Sequence, residues 1–234
     1  MTQVRLLLRR HRLLAGAWSA ALVGLCGVTA SAYRDTYPTA AQRHLAVAVS
    51  RHDTATTLLY GRLADAGTPA QMYAWEMGAF ATILAAVLGV LLAVALTRTS
   101  EDDGTLEIVR SCGIDPRSPL RAAFAVLALV AAGLGAGCAA AAWLGGRGPG
   151  GVTGPGAAAF GLVVAVTLLL FGALAVALAQ AVPTAGAART AGFATLGAAF
   201  AARAVADTRH VGWLNWASPL GLRATVRPFD GDRW

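Results

Sequence analysis

Residues 72–96 read MYAWEMGAFATILAAVLGVLLAVAL. After Glu76 no charged side chain occurs until Arg98, and the run Met77–Leu96 is apolar apart from Thr82. A hydrocarbon core roughly 30 Å thick is crossed by about 20 helical residues. No water is available there to satisfy the backbone, so a lone segment of this kind must be a helix. Residues 72–96 therefore predict a transmembrane helix, and the rest of the chain is best read around it.

Four more stretches have the same character: Leu13–Tyr33, Ala122–Leu144, Gly156–Val182 and Thr190–Ala206. The last is the shortest and carries Arg203. Five spans predict an all-α, polytopic transmembrane helical bundle forming one domain over residues 1–234. Composition agrees. The 234 residues are 56% hydrophobic and only 13% charged, with mean hydropathy +0.58, where a soluble domain carries about 25% charged residues. Ala30-Ser31-Ala32 imitates a signal-peptidase site, but the apolar run before it is longer than the usual signal core and no soluble domain follows.

The formal charge of +7 does not mark a nucleic-acid binder. All the basic residues are arginine, and they flank the apolar runs, as membrane-anchoring charges do. The lack of lysine excludes a P-loop, which needs one on the phosphates. His11, His44, His52 and His210 lie apart in sequence and outside the spans, apart from any HExxH pattern. Cys26, Cys112 and Cys138 show no CxxC spacing, and Cys26 and Cys138 fall in apolar segments as small hydrophobes. The chain is expected to hold no catalytic residues, metal or cofactor of its own. None of the twelve acids falls at mid-span, which argues against a proton-driven pump.

The polar segments divide between two sides. With the N-terminus inside, Arg5, Arg9, Arg10, Arg12, Arg98, Arg110, Arg117, Arg121 and Arg189 share its side. Arg34, Arg43, Arg51, Arg62, Arg147, Arg209, Arg223, Arg227 and Arg233 share the other. The counts are equal, and the dense cluster before the first span favours a cytoplasmic N-terminus. Residues 34–70 mix Leu45, Val47, Val49, Leu58 and Leu59 with Arg43, His44, Arg51, His52 and Asp53. That alternation predicts one or two amphipathic helices on the membrane surface, the first able to open at Pro38, with an ordinary solvated loop as the alternative. Gly133 and Gly137 form a GxxxG on the third span, which either packs a neighbour or is chance in a chain with 27 glycines.

Two clusters stand out as candidate sites. Thr97–Arg110 crowds Glu101, Asp102 and Asp103 before Gly104, Leu106, Glu107 and Arg110. Acids at a helix N-terminus are favoured by its dipole, so the stretch is either a solvated turn or a short helix offered to a cytosolic partner. Arg203 costs roughly 2.5–3.5 kcal/mol at mid-membrane, and Asp207 follows at i+4. Arg203 is expected to pair with Asp207, or to meet Glu76 of the second span in a gate or substrate path.

Four ordered blocks resemble a known family, the permeases of actinobacterial ABC exporters of the polyketide-antibiotic type. They are Tyr37-Pro38-Thr39-Ala40-Ala41 with Leu59-Tyr60-Gly61; Trp75-Glu76-Met77-Gly78-Ala79-Phe80; Thr97-Arg98 through Glu107, with Ser100 where the family often has an acid; and Trp213 to Gly221 with Val226 to Trp234. The resemblance implies six spans per half and a cytosolic coupling helix between spans two and three, here Glu101–Arg110. It also implies a re-entrant extracellular hairpin before span six, here around Trp216, Ser218, Pro219 and Gly221. ATP and Mg would sit on a partner ABC ATPase subunit dimer. The cargo would be a hydrophobic, antibiotic- or drug-like small molecule exported across the bacterial cell membrane. A second permease half or a C-terminal continuation would supply the sixth span. A non-transporting membrane scaffold or accessory subunit is the alternative.

Overall fold

The computed structural model describes residues 2–63, 67–104, 113, 115, 117–148, 151–209 and 211–229. Leu106, Glu107, Arg110 and Cys112 lie outside these, so the expectations placed on them have no structural counterpart. Helix α1 is Thr2–Thr36, α2 Ala40–His52, α3 Thr54–Tyr60 and α4 Pro69–Leu96. Then come α5 Arg98–Asp102, α6 Ser118–Gly145, α7 Gly154–Ala181 and α8 Ala185–Arg209. The tail holds α9 Gly212–Ala217, a 3-10 turn Pro219–Gly221 and α10 Leu222–Val226. Among the described residues the regular structure is entirely helical.

Among the described residues four helices are long and apolar enough to cross a membrane: Gln3–Tyr33, Pro69–Asp102, Ser118–Gly145 and Gly154–Ala181. The expected fifth span is a helix of 25 residues, about 37 Å long, but it falls short of the other four in apolarity. Arg189, Arg203, Asp207 and Arg209 are the reason. Its path still runs the height of the bundle, because its first residue meets Asp102 and its last turns meet the tail.

The helices α1, α6, α7 and α4 pack in a ring in that order, and α8 lies outside it against α4 and α7. α4 is buried along most of its length and α1 is the most open. Close approach of α6 and α7 rests on Gly135 and Gly161. A Cβ on either would stand 2.6 Å or less from the other's carbonyl oxygen. Towards α7 the packing glycine of α6 is thus Gly135; of the expected GxxxG, Gly133 meets nothing within 4 Å, while Gly137 packs against Val23 of α1. Two buried threonines inside the spans are satisfied by their own helices. Thr82 donates to the Gly78 carbonyl at 2.9 Å and Thr167 to the Val163 carbonyl at 2.7 Å, as a waterless surrounding requires. The Trp18 indole N–H ties α1 to the Leu84 carbonyl of α4 at 3.2 Å.

The surface helices form as the alternation predicts, with one shift in boundary. α2 opens after Thr39, whose hydroxyl and Gln42 make a reciprocal capping box, so Pro38 stands before the helix and outside it. Leu45 and Val49, one turn apart, are left exposed, while Val47 is buried. That is the arrangement of a helix lying in a membrane interface.

Candidate functional site

The bundle has two polar ends, and the candidate residues gather at both. At the first, α5 continues the line of α4 after Thr97. Arg98 bonds Glu101 at 2.7 Å and pairs with Asp102 at 3.5 Å. It also donates to the Pro183 carbonyl in the turn before α8. Asp102 accepts from the Ala185 N–H at 2.7 Å, giving α8 an N-terminal cap from another element. Asp103 pairs with Arg10 of α1 at 3.2 Å, and Ser118 at the head of α6 donates to Gln3 at 2.8 Å. Of the acids expected to face a partner, Glu101, Asp102 and Asp103 are engaged within the chain, and Asp102 and Asp103 join the end of α4 to α8 and α1. Gly104 follows at φ +69°, with open space around it.

At the other end the first, second and last blocks of the resemblance converge. The rings of Tyr37 and Tyr60 pack with Val47, Leu63, Met72 and Trp75. The Trp75 indole donates to the Gly61 carbonyl at 2.7 Å. Arg203, only 3% exposed, donates to the Leu58 and Leu59 carbonyls at 2.6 and 2.8 Å. Arg223 donates to the Tyr60 carbonyl, and to those of Ala74 and Trp75 at 3.3 and 3.1 Å. Two guanidiniums thus take up the terminal carbonyls of α3, the orphan acceptors of any helix end, where the dipole favours a cation. Gly78 makes room for this: a Cβ there would meet the Arg223 stem at 2.6 Å.

This corrects the expected partners of Arg203. Among the described residues no ion pair within 4 Å joins it to Asp207 or to Glu76. Helix carbonyls contributed by a distant segment win its guanidinium, and the Asp207 carboxylate instead accepts from Asn215 at 3.2 Å. Its second oxygen, the Arg203 Nε and the Asn215 carbonyl are buried and find no hydrogen-bond partner among the described residues. Arg223, which sequence reasoning left among the outer arginines, is central to the cluster. The only hint was a cation set in the apolar run Leu220–Val226. Burial, then the neighbouring Arg203, push its guanidinium down to about 10, with Asp207 acting the other way; it stays charged at neutral pH.

The tail builds the outer wall. Ser218, 2% exposed, donates to the Ala199 carbonyl at 2.8 Å, about 15 Å back along α8 from Arg209. Pro219 opens the 3-10 turn, and Gly221 lies so close to Asn215 that a Cβ would overlap its backbone. The chain then climbs again, until Phe229 reaches Gly156 of α7 and its carbonyl accepts from Gln71 at 3.5 Å. Between this hairpin and the head of α4 lies an open cleft of about 730 Å³. It is lined by Arg62, Gln71, Trp75, Asp207, Asn215, Trp216, Arg223 and Arg227 among others. Asp207 and Trp216 of the expected residues belong to it; Arg203 stands behind it, and Glu76 does not line it.

No family model matches the chain. Over 232 residues it is 33% identical to a multidrug efflux system permease protein of Mycobacterium tuberculosis, an alignment taking in 99% of this chain and 41% of that protein. The chain spans about two fifths of the length of the curated relative it matches. Nearly end to end, then, this membrane protein is similar to an actinobacterial efflux permease, the kind of protein its four sequence blocks resemble.

Proposed function

We propose that the chain is the permease part of an ATP-driven exporter of hydrophobic small molecules in the bacterial cell membrane. ATP and Mg are handled by a separate ATPase subunit dimer, and a second permease half completes the path. The similarity to an efflux permease over 99% of the chain carries this reading. The arginine-dense start of α1 supports a cytoplasmic N-terminus, which sets Arg98, Asp103 and Pro183 inside and the tail outside.

Transport is an alternation between inward- and outward-open arrangements, and α8 is suited to carry it. Asp102 holds one end of α8, and Arg203 and Asp207 occupy the other. A push on the Glu101–Arg110 segment by the ATPase would reach the outer cleft through that rigid helix. Co-expressed with its ATPase, the chain should lower cellular retention of a fluorescent hydrophobic dye. The double reversal Glu101→Arg with Glu107→Arg should abolish this while the protein still inserts. Dye retention unchanged by the wild-type pair, or export that survives both reversals, contradicts the proposal or its coupling segment respectively.

A further inference from the structure

The cleft beside the tail hairpin has an electrostatic imbalance that export alone does not explain. Arg203 and Arg223 are both held by neutral carbonyl oxygens. Among the described residues neither has a carboxylate within 4 Å. A carbonyl satisfies a guanidinium's N–H groups without cancelling its charge, so a single carboxylate, Asp207, offsets both arginines from beyond contact distance. Among the described residues Asp207 is the one acid lining the cleft, and it is only 6% exposed and bonded to Asn215. Arg62, at the rim, is exposed. Low-dielectric walls focus such a field into the cleft. Its outer side is aromatic: Trp216 lines it at 76% exposure, and Trp213 stands nearby on α9 at 71%. Exposed tryptophans of this kind settle at the depth of lipid headgroups.

We propose that the cleft binds the anionic headgroup of an amphiphile, a phosphate or carboxylate carried on an apolar body. The anion lies between Arg62 and Arg223, and the first carbons of the tail lie against Trp216. The volume suits such a headgroup, since small-molecule sites run about 300–1,000 Å³. Arg223 keeps two N–H groups beyond its three carbonyl bonds. Two sources share this chemistry, a phospholipid of the surrounding leaflet and a free amphiphilic acid.

The site goes beyond the export reading, and its test needs no transport, so either can fail alone. The full chain in neutral detergent is titrated with three chain-brominated probes, whose bromine quenches tryptophan on contact. They are dodecanoate, a short-chain phosphatidylglycerol and dodecyltrimethylammonium. We expect at least one anionic probe to quench about tenfold more tightly than the cation. Arg62→Gln should weaken it about fivefold, as loss of one surface arginine does near a headgroup, and Trp216→Phe should remove most of the quenching. Arg62 makes no bond among the described residues, so its loss leaves the fold intact. Preference for phosphatidylglycerol identifies a lipid site, and preference for dodecanoate an acid site. Equal affinity for the cation, or quenching indifferent to both Arg62→Gln and Trp216→Phe, overturns the proposal.

Discussion

Gly61 stands where three parts of the chain press together. Its φ of +81° suits glycine, and a Cβ there would fall 2.7 Å from the Asp207 carboxylate and 3.0 Å from the Arg223 guanidinium. Its carbonyl takes the Trp75 indole. Gly61→Ala should therefore lower stability by about 1–3 kcal/mol, read as a fall in thermal midpoint in detergent. Gly104, at φ +69° with nothing within 4 Å, isolates the backbone part of that cost. Gly104→Ala should melt higher than Gly61→Ala, and equal midpoints would mean the charge cluster yields freely. Arg203 shows what sequence spacing misses at this scale. Asp207 at i+4 was the visible partner, yet the acceptors that hold Arg203 lie 144 and 145 residues away. No local pattern announces a distant helix end with unsatisfied carbonyls.

The elements were legible where one solvent dictates the residues. Uncharged runs set α4, α6 and α7 to within a few residues, because any helix crossing hydrocarbon must look like that. The start of α8 was read five residues late, at Thr190. Its first turn is capped partly by Thr184, which accepts from Ala187 at 3.2 Å, and partly by Asp102 from across a turn. Asp102→Ala should cost α8 about 0.5–2 kcal/mol, the usual worth of a cap. Hydrogen exchange should quicken at residues 185–190 while 200–206 are unchanged, and uniform protection would deny Asp102 that role. At the start of α3, Asp53 accepts from the Ala55 and Thr56 amides at 3.1 and 3.2 Å. The Thr56 hydroxyl first, then these amides, hold its carboxyl below the usual range. A depressed folded value means the cap is in place above the ordinary carboxylate pKa of about 3.9 and is lost as pH falls through the folded value. Protection of residues 55–57 should drop over that acid range in the wild type and stay flat in Asp53→Ala.

Across the molecule, the described residues of 34–68, 146–153 and 207–229 meet at one end of the bundle, and the start of α1, 98–104 and 183–189 at the other. The apolar runs made that division legible. The fold-back of the tail was legible only through the family resemblance, since its tryptophans and prolines by themselves suggest no more than a broken interfacial segment. The ring α1–α6–α7–α4 with α8 outside it could not be read from any span alone, because the central stretches of α4, α6 and α7 are apolar on every side. If the bundle crosses the membrane with these ends on opposite sides, single cysteines at the two ends will differ in their access to reagents outside intact cells. In a chain with Cys26, Cys112 and Cys138 replaced, a membrane-impermeant maleimide should modify Ala55→Cys from outside and spare Asp103→Cys until the cells are opened. Modification of Asp103→Cys but not Ala55→Cys in intact cells would reverse the orientation, and modification of both would contradict the membrane-spanning account.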